Sequence, residues 1–199
     1  MTAFKNTLIT CQKCGKRIAV KARDFEKGAI QCTHTGCGYL NPLVQSYYDE
    51  RILLGLPSFG HLVYVANPVM KYPLRLGTNV IGHSPTCEVV VERYVHEGKC
   101  YISRRHCTLE VLFNKWTGRF RYQLQDGASD LDSHQYKNSL NGTQLNGYLL
   151  QNGEKMDLVD RGLLGLGGKD VFRLEAYLIP EKMLESYRVT KAIEPDETQ

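Results

Sequence analysis

The sequence predicts an all-β chain, a β-sandwich preceded by a small β module that cannot hold itself together. Three observations carry this. From Gly60 onward at least seven short segments rich in Val, Leu, Tyr and Phe alternate with Gly, Pro, Asn and Asp, the spacing of strands joined by turns. No strand-helix-strand unit of roughly 30 residues occurs, which excludes a doubly wound nucleotide fold. Four of the seven cysteines fall in the first 45 residues, in two close pairs. With 199 residues, 42% hydrophobic and 23% charged, the chain can bury one core of usual size plus a small module, and a large α/β enzyme is excluded. No apolar run approaches the roughly 18 residues of a membrane span, and MTAFKNTLIT lacks the long apolar core of a signal peptide, so no membrane contact and a cytoplasmic location are expected.

The first module comes from cysteine spacing. Cys11 and Cys14 form a C-x2-C pair, and Cys32 and Cys37 a looser C-x4-C pair after 17 intervening residues. An odd number of cysteines without a secretory signal argues against a disulfide framework. Two such turns facing each other offer four thiolates to one tetrahedral ion. Gly15 and Gly38 follow the last cysteine of each pair, where a knuckle aims backbone N–H groups at sulfur and needs a permissive dihedral. The expected ligands of one structural Zn2+ are therefore Cys11, Cys14, Cys32 and Cys37, with His34 inside the second turn as the alternative donor. Ile18, Val20 and Phe25, then Ile30 after Gly28, suggest two short strands. The stretch from 8 to about 44 resembles a zinc ribbon, and residues 1–44 are assigned to that module. Residues 1–45 hold seven Lys and Arg against two acids, a balance of +5 that four zinc-bound thiolates reduce to +3. Such a basic face permits nucleic-acid contact, but a merely solvated face is the favoured reading.

Residues 45–59 read as a linker with one helical turn, since Tyr47, Tyr48, Ile52 and Leu53 recur at roughly helical spacing before Gly55 and Pro57. The sandwich occupies residues 60–179, with HLVYVAN, YPLRLGTNVIGH, CEVVVE, HCTLEVLF, GRFRYQLQD, GTQLNGYLL and DVFRLEAYLI as its strands. Pro180 suits a helix start, and Glu181, Met183, Leu184 and Tyr187 continue it. The remainder of 180–199 reads as a tail whose last residues, EPDETQ, are expected to be disordered.

Loops carry the specific information. Ile81-Gly82-His83-Ser84, then Ser103-Arg104-Arg105-His106, then Ser139-Leu140-Asn141-Gly142-Thr143-Gln144-Leu145-Asn146-Gly147 fall in this order at strand boundaries. With PLRLGTNVIG and LGLGGKD, these motifs resemble the forkhead-associated (FHA) domain over about residues 60–179. The resemblance implies an FHA-type β-sandwich of about eleven strands that recognises phosphothreonine on partner proteins. By the same resemblance, Ser103 donates its hydroxyl to phosphate and Arg104 brings charge to it. Asn141 holds the ligand's main chain, and Thr143 is counted in the same peptide-binding loop, tied down by its hydroxyl. His106 braces the loops from within, supported by Gly82 and Gly142.

The sequence departs from the family at two places. Where the family usually has Gly-Arg, this chain has Gly82-His83, and an imidazole is shorter, lacks the guanidinium fork and is only partly charged near neutral pH. His83 still occupies the phosphate-facing position by resemblance. An insertion at about 129–137 carries Asp130, Asp132 and His134 beside the expected site. Catalysis is not expected: neighbours on a strand face opposite ways, which separates His106 from Cys107, and no Walker loop, HExxH or GxSxG occurs. The expected function is a non-catalytic signalling adaptor for a threonine-phosphorylated protein, without a small-molecule substrate. The alternatives are a nucleic-acid-associated factor working through the basic ribbon, or an FHA scaffold that binds without phosphate.

Overall fold

The computed structural model describes residues 7–192, which fall into two compact units, one from 7–49 with 187–192 and one from 50–186. In the first unit, β1 (Thr7–Thr10) pairs antiparallel with β2 (Arg17–Val20), placing Ile9 opposite Ile18. A one-turn helix α1 (Ala22–Glu26) follows where the alternation suggested extended chain. Asp24 explains it by accepting the Lys21 N–H at 2.9 Å at the helix start. Then β3 (Ala29–Gln31) pairs antiparallel with β4 (Leu40–Pro42). Among the described residues the module's buried cluster is Cys11, Ile18 and Cys32, with Val20 and Leu43 buried outside it, too little apolar surface to order about 40 residues unaided.

Residues assigned to a linker prove to be structured. Val44–Tyr48 is a strand, β5, and the helical turn lies after it, as a 3-10 turn over Glu50–Gly55 that buries Ile52. The aromatic pair Tyr47-Tyr48 belongs to extended chain, as its β-propensity favours, not to the turn.

The second unit is the sandwich. Its strands run β6 (His61–Tyr64), β7 (Lys71–Pro73), β8 (Gly77–Gly82), β9 (Val89–Val90), β10 (Cys107–Asn114), β11 (Arg119–Asp126), β12 (Ala128–Ser129), β13 (Tyr136–Lys137), β14 (Thr143–Leu145), β15 (Tyr148–Leu149), β16 (Lys155–Asp157), β17 (Leu163–Leu166) and β18 (Asp170–Glu175). A five-stranded sheet has the order β16-β11-β10-β8-β9, and a six-stranded sheet the order β15-β14-β17-β18-β6-β7. These two sheets supply eleven strands, and β12 and β13 form a separate hairpin from the insertion. Period-two alternation sends Leu109 and Val111 of β10, Leu124 of β11, Leu164 and Leu166 of β17, and Phe172 and Leu174 of β18 into one core, none of them exposed. Each such burial contributes about 1.5–3 kcal/mol relative to exposure.

Helix α2 (Glu181–Ser186) starts after Pro180 as its sequence suggests. The chain beyond it is not all tail: β19 (Arg188–Ala192) returns to pair antiparallel with β5, Val189 opposite Tyr47 and Thr190 opposite Ser46. Its β-branched residues find a partner that lies some 140 positions away, a pairing no local pattern announces. The expected disorder of 194–199 lies outside the described residues. Among the described residues no helix is long and apolar enough to cross a membrane.

Candidate functional site

Three loops meet at one end of the sandwich, after β8, before β10 and before β14, and backbone bonds lock the first two together. The His106 N–H donates to the Ile81 carbonyl at 2.7 Å and the Ser84 N–H to that of Arg104 at 2.9 Å. A Cβ on residue 82 would overlap the Arg104 carbonyl, so only glycine lets the end of β8 approach this closely.

His106 joins the second loop to the third. Its ring is fully buried; Nδ1 accepts the Ser103 N–H at 2.9 Å and Nε2 donates to the Gly142 carbonyl at 3.0 Å. That pairing requires the neutral imidazole protonated on Nε2, and burial lowers its pKa accordingly. Ser103 is half-buried and its Oγ accepts the Leu140 N–H at 3.1 Å, which leaves the hydroxyl proton to be donated elsewhere. Asn141 donates Nδ2–H to the Tyr101 carbonyl at 2.8 Å, fixing its side chain across the same end of the domain.

Behind the third loop stands Asp126, which sequence reasoning missed. It is buried, and accepts the Ser139 N–H at 3.2 Å, the Ser139 hydroxyl at 2.7 Å and the Thr143 hydroxyl at 2.6 Å. The available signal was its register: Asp126 shares the inward face of β11 with Tyr122 and Leu124, an acid where a core residue belongs.

A cleft of about 420 Å3 opens beside these loops, and of the expected peptide-binding residues it is lined by Ser103 and Arg104. His83 and Asn141 lie outside its lining. Ser84, Thr86 and Arg105 complete that wall, and the opposite wall is the inserted hairpin, including Asp130 and Lys137. Arg105 bridges the walls, its Nε donating to the Ser129 carbonyl and its Nη1 to that of Thr86, both at 3.1 Å. Arg104 is exposed and makes no ion pair with a described residue. The site is thus a rigid frame of backbone donors and hydroxyls with a cation free to turn toward an anion.

Residues 79–167 match the family model of the FHA domain. The chain contains an FHA domain. Among solved structures, the MEK1 FHA domain shares 21% identity, with 64% of this chain and 98% of that chain covered and a TM-score of 0.47. The same domain in complex with a HOP1 phosphothreonine peptide shares 20% identity over 61% of this chain and 99% of that one, with a TM-score of 0.45. The FHA domain of an Arabidopsis thaliana hypothetical protein shares 21% identity over 62% and 91%, with a TM-score of 0.43. No curated protein matches the chain.

Within the FHA domain Thr143, counted with the peptide-binding loop, ties that loop down by its hydroxyl as expected. Thr143 is fully buried, and its hydroxyl is spent on Asp126, so it ties the loop down and does not face a ligand. His106 offers no free ring nitrogen to serve as a base, and the neighbouring Cys107 thiol is pushed well up by its burial. FHA domains are generally non-catalytic binding modules.

In the other unit the two cysteine turns converge. The sulfurs of Cys11 and Cys37 are 3.8 Å apart, those of Cys14 and Cys32 3.7 Å, and all four lie within 4.8 Å of one another. A tetrahedron with metal–sulfur bonds of about 2.3 Å has edges of about 3.8 Å, so these four thiols could hold a metal ion. Backbone at both turns is shaped for it: Gly15 and Gly38 have φ of 70° and 55°, and the Gly15 N–H closes the first turn onto the Cys11 carbonyl at 2.9 Å. His34 is not part of this cluster. Asn41, unremarked in the sequence, is buried against it, donating to Cys11 Sγ at 3.6 Å and accepting the Gln12 N–H at 2.9 Å. Cys11 is desolvated, yet donors from Cys14, Lys13 and Asn41 outweigh that and lower its pKa to about 6. Cys32 has a backbone donor at His34, but desolvation and the neighbouring thiols push it up to about 12. Four thiolates this close repel one another unless a cation neutralises them.

Proposed function

We propose that this chain is a non-catalytic adaptor that binds proteins phosphorylated on threonine, with phosphate held at Ser103 and Arg104. The observation that supports it best is the state of Ser103: its N–H is tied to His106 and its Oγ to the Leu140 N–H, so its one unused group is a hydroxyl proton, placed in a cleft beside an unpaired guanidinium. A preorganised donor next to a free cation suits a phosphate dianion. Asn141, fixed by Tyr101, stands at the edge of this site to hold the peptide main chain, and His83 flanks it. In the cysteine module the ion is zinc, one per chain, because four thiolates in a tetrahedron match that borderline-soft metal, and its role is to fold the ribbon.

An array of phosphothreonine peptides and their unphosphorylated twins, probed with the full chain, tests the main reading. Binding confined to phosphorylated spots, and lost in Ser103→Ala and Asn141→Ala, is the expected result. Equal binding to both forms would replace it with a phosphate-independent scaffold.

A further inference from the structure

We propose that Lys137, on the inserted hairpin, is a second phosphate-binding cation of this domain, so that the phosphate is gripped from both walls of the cleft. The inference rests on the phosphothreonine reading above. The hairpin of β12 and β13 is anchored to the site, not merely adjacent to it. The Tyr136 hydroxyl donates to the carbonyls of Asp126 and Gly127, at 2.8 and 2.9 Å, and Asp126 is the residue that fixes Ser139 and Thr143. On the other strand, the Ser129 carbonyl accepts from Arg105 at 3.1 Å. Lys137 is therefore carried by a strand whose position is set by the phosphate-facing loops.

Its ammonium is also aimed. Lys137 Nζ lies 2.8 Å from Asp130 Oδ2, while Asp130 Oδ1 takes the N–H groups of Asp132 and Ser133 and the Ser133 hydroxyl. Lys137 first, and then these donors, hold the Asp130 carboxyl well below the usual carboxylate range, so Asp130 stays ionised opposite Lys137. An ammonium has three donors, and Asp130 takes one, leaving two for an incoming dianion. The cleft is lined by three cations, Arg104, Arg105 and Lys137, against two carboxylates, Asp130 and Asp132, both on the inserted hairpin's side. Arg105 gives two of its five N–H groups to carbonyls of both walls and so ties them together, while Arg104 stands on one wall and Lys137 on the other. His83 does not line the cleft. Lys137 supplies the second charge from across it.

The probe is N-acetyl-phosphothreonine methylamide, which carries the dianion without any sequence preference, titrated into the full chain and followed by NMR. The proteins are wild type, Lys137→Met, Lys137→Arg, Ser103→Ala and Lys115→Met; the last removes the same charge from the turn at the far end of β10. Lys137→Met should weaken binding about fivefold or more, as loss of a charge-assisted bond at a partly exposed site does, with Lys137→Arg close to wild type. Lys115→Met should change it by less than about twofold. Binding that is lost in Ser103→Ala but equal in Lys137→Met and Lys115→Met overturns the role of Lys137 and leaves the phosphothreonine reading standing. Absence of any phosphate-dependent shift in the wild-type protein overturns both.

Discussion

Replacing His106 by alanine tests the frame that presents Ser103. The ring is fully buried and satisfies two backbone groups at once, the Ser103 N–H and the Gly142 carbonyl. Alanine leaves both unpaired, at about 1–3 kcal/mol each, and removes ring volume, so a loss of about 3–5 kcal/mol is expected. For a unit of this size that lowers Tm by roughly 10–20 °C. Calorimetry on the full chain should show this drop in the sandwich transition, together with weakened phosphopeptide binding. The pH dependence gives an independent check. Burial depresses the His106 pKa in the folded protein, so below the unfolded value of about 6.5 the unfolded chain takes up a proton that the folded one refuses. Stability from this group is complete above that pH and declines as pH falls toward the folded-state pKa. The wild type should lose more Tm than His106→Ala between pH 7.5 and 5.5. An alanine variant that melts with the wild type, and shows the same acid slope, would refute the bracing role.

Other perturbations separate the parts of the molecule. About one zinc per chain should copurify, and Cys11→Ser should unfold the ribbon while the sandwich transition persists; less than about 0.2 metal per chain with a folded ribbon would contradict this. Gly82→Ala forces a methyl group onto the Arg104 carbonyl and should cost about 1–3 kcal/mol by calorimetry, with phosphopeptide binding weakened because Ser103 follows that backbone. Tyr136→Phe deletes the hydroxyl that anchors the inserted hairpin and should lower stability by about 1 kcal/mol; hydrogen exchange at 128–137 should quicken. His83→Arg supplies a permanent charge and a two-pronged donor, so it should tighten peptide binding at pH 8. Identical affinities at pH 8 would mean that residue 83 points away from the phosphate.

What the sequence disclosed followed from local pattern. Period-two alternation marked the core strands, and the S-R-x-H and N-G-T motifs, through their resemblance to the FHA domain, marked loops that the fold brings together, His106 bridging Ser103 and Gly142. Cysteine spacing located the four thiols. What it concealed was non-local. β5 and β19 pair across most of the chain, and Tyr47-Tyr48 reads as either strand or helix until its partner is known. The insertion forms its own hairpin because Asp130 closes the turn and Tyr136 reaches back to Asp126, neither of which shows in a one-dimensional pattern. Asp126 and Asn41 act through several partners brought together by the fold, and a lone acid or amide in sequence gives no sign of that. Thr143's hydroxyl was expected to tie its loop down, but its partner, Asp126, was not legible, since that pairing spans 17 positions.

The most direct measurement of phosphothreonine recognition is calorimetric titration of one array-selected peptide, in phosphorylated and unphosphorylated forms, into wild-type chain and Ser103→Ala. We expect saturable binding of the phosphorylated form alone, weakened roughly ten- to a hundredfold by the alanine substitution, as loss of a hydrogen bond to a charged group implies. Equal heats from the two peptides, or an undiminished affinity in Ser103→Ala, would contradict phosphate binding at this site.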